Sequence, residues 1–87
     1  MLYRVEINKS AQREIARLPG DARRRVLAVI ADLAGEPRPL GARRILGADD
    51  TYRVRVGDYR VVYEVGDRVL IVFIIRVAHR KDAYRRL

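Results

Sequence analysis

Tyr52-Arg53-Val54-Arg55-Val56-Gly57-Asp58-Tyr59-Arg60-Val61-Val62-Tyr63 is the stretch whose reading decides the fold. It alternates with period two on either side of a Gly-X pair, the pattern of two strands joined by a two-residue hairpin. With Gly57-Asp58 as the loop, Val56 falls opposite Tyr59, Arg55 opposite Arg60, Val54 opposite Val61, Arg53 opposite Val62 and Tyr52 opposite Tyr63. One face then reads Tyr52, Val54, Val56, Tyr59, Val61, Tyr63, wholly apolar or aromatic. A slip by one residue would scramble that face, so the register is well specified. The other face carries Arg53, Arg55 and Arg60. Like charges set directly across a sheet pair cost a few tenths to about 1 kcal/mol. Either these side chains splay into water, or they mark a phosphate site, where an anion between the cations turns the repulsion into grip.

Downstream, Gly66-Asp67 turns the chain again. Val69 to Val77 then reads as a third strand, with Val69 to Ile75 unbroken in apolar residues. A strand apolar on both faces is either central in its sheet or covered by something else. It becomes central if the alternating N-terminal segment Tyr3 to Ile7 pairs beside it. Its exit delivers His79, Arg80 and Lys81, followed by Tyr84.

Between the first strand and the hairpin the periodicity is helical. Asn8 or Ser10 can cap a first helix with Ala11, Ile15 and Leu18 on one stripe. Pro19-Gly20 breaks it, and Asp21 is the expected N-cap of a second helix. That helix places Ala22, Val26, Val29, Ile30 and Leu33 inward and ends at Gly35. Arg23-Arg24-Arg25 in its first turn is a solvated face or a phosphate contact; three cations there sit poorly with the helix dipole. Residues 36–51 are irregular because of Pro37, Pro39, Gly41 and Gly47, with Leu40, Ile45 and Leu46 expected to tuck under the core and Asp49-Asp50 to turn. The expected fold is α+β: an N-terminal strand, a two-helix hairpin, then a three-stranded antiparallel meander, in one domain spanning residues 1–87.

Composition narrows the chemistry. The chain has 87 residues and a formal charge of +8, and all its 19 cations are arginine except Lys9 and Lys81. Arginine offers phosphate a planar fork, and such an excess suits a polyanion or an acidic partner. Cysteine is absent and His79 is the one histidine. Disulfides, thiol nucleophiles and zinc sites built from several histidines are therefore excluded, and no metal or cofactor is expected. A chain this short hides only roughly 60–65% of its unfolded surface, so chemistry belongs on an open face. No apolar run approaches the ~20 residues that span a bilayer, and no signal peptide opens the sequence, so a cytoplasmic location is expected.

The hairpin quoted above, the ending His79-Arg80-Lys81-Asp82-Ala83-Tyr84, the Leu18-Pro19 break and Leu46-Gly47 together resemble RelE-type toxins of the RelE and ParE superfamily. The resemblance runs over nearly the whole chain in matching order. It implies two N-terminal helices on a small antiparallel sheet. It also implies cleavage of messenger RNA in the ribosomal A site, without a metal or other cofactor, and silencing by a cognate antitoxin. The implied partners are thus the 70S ribosome with mRNA and an acidic, amphipathic antitoxin segment. Carried over by motif, the functional positions are Arg53, Arg55, Arg60, Arg80 and Tyr84, with His79 beside them. Arg23, Arg24 and Lys81 are further candidates for contact with RNA.

Cutting RNA through its own 2′-hydroxyl requires a base for that hydroxyl, cations for the phosphate and an acid for the leaving oxygen. Arg55, Arg60 and Arg80 can supply the cations. Some relatives carry lysine at the first-strand positions, one of them assigned as base. Arginine, with a pKa above ~12, does not take that role readily. Tyr84 is a candidate base or a platform for a nucleobase, because neighbouring cations favour phenolate; the alternative is a C-terminal anchor. His79 is a candidate acid or base, or a bystander at a strand end. The resemblance leaves two other functions open. One is a ParE-like DNA gyrase inhibitor without nuclease activity, a class that generally lacks the full cluster. The other is a basic RNA-binding module without chemistry.

Overall fold

The structure is a computed structural model that describes residues 2–81. Its elements in chain order are β1 (Arg4–Ile7), α1 (Lys9–Ala16), α2 (Gly20–Asp32), β2 (Arg43–Arg44), β3 (Thr51–Val56), β4 (Tyr59–Gly66) and β5 (Ile71–His79). The strands form one sheet in the order β1-β5-β4-β3-β2. The β3–β4 pairing is the expected one throughout, from Val56 opposite Tyr59 to Tyr52 opposite Tyr63. β5 lies between β4 and β1, which explains its apolar character on both faces, and β1 joins it in parallel with Val5 opposite Val72.

The core lies between the helices and one sheet face. Ala11 and Ile15 of α1, and Val26 and Ile30 of α2 with Leu33 just after it, pack against Tyr52, Val54, Val56, Val61, Tyr63, Val65, Val72, Ile74 and Val77. Asn8 caps α1, its Oδ1 accepting the Ala11 N–H at 2.8 Å. The edge of β5 beyond β1 is closed by α1: Glu14 Oε1 accepts the Val77 N–H at 2.7 Å, and Asn8 Nδ2 donates to the Ile75 carbonyl at 3.2 Å.

Several details differ from expectation, each for a local reason. The meander is extended by the two-residue edge strand β2, so the sheet has five strands and is mixed. Pro19, not Asp21, occupies the N-cap of α2; Asp21 sits in the first turn, favourable for the dipole, and pairs with Arg24. Leu40 and Leu46 are fully exposed rather than tucked in, because the core is already closed by α2 and β3. The third meander strand begins at Ile71, since the turn runs on through Leu70, whose φ of 57° ends any extended path through Val69.

Candidate nucleic-acid interface

The sheet face turned away from the helices carries the arginines. Arg55 and Arg60 are direct partners across β3 and β4, and Arg53 lies two residues along the same strand. β2 adds a cation that sequence reasoning missed: Arg43 stands directly opposite Arg53. The only signal for it is Arg43-Arg44 itself, in a segment whose prolines and glycines hide a strand. On the far side of β4, Arg60 faces Ala78, a residue too short to crowd a guanidinium. Arg55 is exposed, while Arg53 and Arg60 are half-buried. Arg55 Nε donates to the Gly57 carbonyl at 2.9 Å, which folds its head back toward the turn and leaves both Nη groups available.

The exit of β5 is tied to the same turn. The Arg80 N–H donates to the Asp58 carbonyl at 2.7 Å, so the chain leaving β5 runs beside the β3–β4 hairpin tip. This brings Arg80 and the exposed Lys81 to the arginine end of the sheet. His79 goes elsewhere. It pairs with Tyr59 and meets that ring edge-on, with centroids 5.7 Å apart, on the helix side of the sheet. Its Nδ1 accepts the Lys81 N–H at 3.3 Å. The cause is a β-bulge: Val62 pairs with Arg76 and Tyr63 with Ile74, leaving Ile75 as an extra residue that flips the alternation downstream. A straight count from Val72 and Ile74 puts His79 with the arginines; the bulge puts it with Tyr59. Tyr84 lies outside the described residues.

The helical arginines divide. Arg24 pairs with Asp21, and Arg23 Nη1 donates to the Ala16 carbonyl at 3.4 Å. Both sit on α2, across the sheet from Arg55 and Arg60. Arg25 instead reaches the hairpin tip: a Cβ built on Gly57 would lie 3.2 Å from its Nη2.

The opposite end of the molecule is held by a different set of charges. Arg38 makes a paired contact with Asp67, Nη2 to Oδ2 at 2.7 Å and Nη1 to Oδ1 at 3.1 Å, while its Nε donates to the Tyr52 hydroxyl at 2.8 Å. The Tyr3 hydroxyl donates to Asp67 at 2.7 Å, and the Tyr63 hydroxyl donates to the Pro37 carbonyl at 2.8 Å. These bonds pin the irregular segment to the sheet. The Arg38 and Tyr3 hydrogen bonds hold the Asp67 carboxyl down at about 2. Hydrogen bonds from Arg38 and Arg44 lower the Tyr52 phenol, whereas burial pushes Tyr63 up to about 12. On the outer face at this end, Glu6, Asp49, Asp50 and Glu64 rim an open cavity of about 500 Å³ against Ile71 and Phe73. The outer face is therefore cationic at the hairpin end and acidic at the other. Among the described residues, no group of three or more His, Asp or Glu side chains could hold a metal ion. No helix there is long and apolar enough to cross a membrane.

A paired arginine across a hairpin, joined by further arginines at the tip, suits an anion such as a phosphodiester. The model of the ParE toxin family of type II toxin–antitoxin systems matches residues 5–84. The chain belongs to the ParE toxin family. Within that family it is similar to the toxin RelG of Mycobacterium tuberculosis, 38% identical over 99% of this chain and 100% of the relative. It is also similar to the mRNA interferase toxin RelE of Escherichia coli, 28% identical over 93% of this chain and 86% of the relative. Among solved structures, the archaeal RelE–RelB complex from Pyrococcus horikoshii OT3 contains a chain that matches with a TM-score of 0.83. That chain is 34% identical, covering 95% of this chain and 100% of the other. The expected two-helix, meander-based fold of the family is thus the observed one.

Proposed function

We propose that this family member is a toxin that cleaves messenger RNA on the 70S ribosome, in the cytoplasm, by activating the RNA's own 2′-hydroxyl. The observation that carries the reading is the Arg55–Arg60 pair with Arg53 beside it on an open sheet face. Cations set directly across a hairpin repel one another, and a phosphate between them turns that repulsion into grip. The names of the RelE relatives support the reaction class. In the reaction, the 2′-oxygen bonds to phosphorus, the bond from phosphorus to the 5′-oxygen breaks, and the hydroxyl proton is taken up as the leaving oxygen gains one. Arg55, Arg60 and Arg80 stabilise the charge that builds on the phosphoryl oxygens. Arg53 and Lys81 hold flanking phosphates, with Arg23 and Arg24 as outlying contacts. Tyr84 is assigned as the proton-transfer group. His79, packed on Tyr59, acts as a positioning residue whose ring fixes the course of Arg80 and Lys81.

The antitoxin partner follows from the family and from charge. An acidic amphipathic segment complements the arginine end rather than the cavity at Phe73, whose rim is itself acidic. The family's other activity, inhibition of DNA gyrase in the manner of ParE, remains a second reading because the matching family model carries that name. The test is growth arrest in cells expressing the chain without antitoxin. Arg60→Ala and Arg80→Ala are each expected to relieve it. Toxicity that survives the double substitution contradicts the nuclease reading.

A further inference from the structure

Gly57 sits between two guanidinium groups. On one side Arg55 Nε bonds its carbonyl at 2.9 Å. On the other, the guanidinium of Arg25 lies flat against it: a Cβ there would meet Nη2 at 3.2 Å and both Cζ and Nη1 at 3.6 Å. The two arginines come from different layers, Arg25 from α2 and Arg55 from β3. Among the described residues Arg25 makes no hydrogen bond or ion pair, unlike Arg24 with Asp21 and Arg23 with the Ala16 carbonyl. Its guanidinium lies against the glycine surface while its donors stay available. The one carboxylate in the turn, Asp58, is exposed and forms no ion pair among the described residues.

We propose that Arg25 forms a phosphate contact at the β3–β4 turn that continues the arginine face past Arg55 and around the hairpin tip. It would take a backbone phosphate of the RNA one or more nucleotides from the cleaved bond, as the strand passes around the hairpin tip toward α2. The site rests on the nuclease reading for its ligand and extends it along the RNA. Gly57, without a side chain, lets the Arg25 guanidinium approach the turn closely. Asp58 sets a limit on affinity, since its carboxylate repels the same phosphate.

The test uses 70S ribosomes programmed with an mRNA whose A-site codon is 2′-O-methylated and cannot be cut, with affinity measured across a salt series. Arg25→Ala, and Arg25→Gln as the variant that keeps the stem, are each expected to raise Kd about tenfold. They should also reduce the slope of log Kd against log salt by about 0.7–1, the signature of one lost phosphate contact. Asp58→Asn is expected to lower Kd. Arg68→Ala, which removes an exposed cation from the far turn, is expected to change neither quantity. Unchanged Kd and slope in both Arg25 variants, or an equal loss in Arg68→Ala, overturns the site. Unmethylated mRNA left intact by the unaltered chain would instead sink the nuclease reading, and a Kd that still depended on Arg25 would then leave the phosphate site standing.

Discussion

At position 57 the backbone has a φ of 60°, and a Cβ there would come within 3.2 Å of the Arg25 guanidinium. Gly57→Ala therefore adds left-handed strain of about 1–2 kcal/mol and crowds the Arg25 head. Urea denaturation should show that loss of stability. Asp67 makes a second prediction at this scale. Its carboxyl is held at about 2 by Arg38 and Tyr3, against an unfolded value near ~3.9. The folded pKa is the lower one, so the contribution is fully present above the unfolded value and is lost as pH falls through that window toward 2. Melting temperature measured from pH 5 to 2 should fall less steeply in Asp67→Asn, which starts lower, than in the unaltered chain.

Glu14 shows how one element completes another. Its Oε1 stands in for a strand neighbour at the Val77 N–H, where β1 has already ended, and Arg76 Nε lies 3.8 Å from its other oxygen. Glu14→Ala strands a part-buried N–H and should cost about 1–3 kcal/mol, while Glu14→Gln keeps a carbonyl acceptor and should cost less. Equal losses in denaturant titrations of the two variants would contradict this account. The hairpin was legible in the sequence because period-two alternation and a Gly-X loop allow one register only. That β1 pairs beside β5 followed once β5 had to be central, but its parallel direction did not. β2 was not legible, since its pairing depends on how 36–51 is pinned by Arg38, Tyr52 and Asp67, contacts between residues far apart in sequence. Nor was the bulge at Ile75, because nothing in an unbroken apolar run marks the residue that drops out of step. That single residue decides on which face His79 emerges.

Across the whole molecule, a net charge of +8 resolves into a sheet face with opposite ends. Arg43, Arg53, Arg55 and Arg60 gather toward the hairpin, and Glu6, Asp49, Asp50 and Glu64 collect at the other end. Such a field orients an approaching polyanion as well as attracting it. Sequence reasoning recovered the arginine cluster because it lies within one hairpin. The acidic end was hidden because its members come from β1, β4 and the turn before β3. The central claim is that the arginine face serves to cut RNA, and the most direct measurement is to add the chain to translating 70S ribosomes and map the 5′ ends of the mRNA. The account predicts cuts within A-site codons that vanish in the double variant Arg55→Ala/Arg60→Ala, with gyrase supercoiling untouched in a parallel reaction. Intact mRNA together with loss of supercoiling would contradict it.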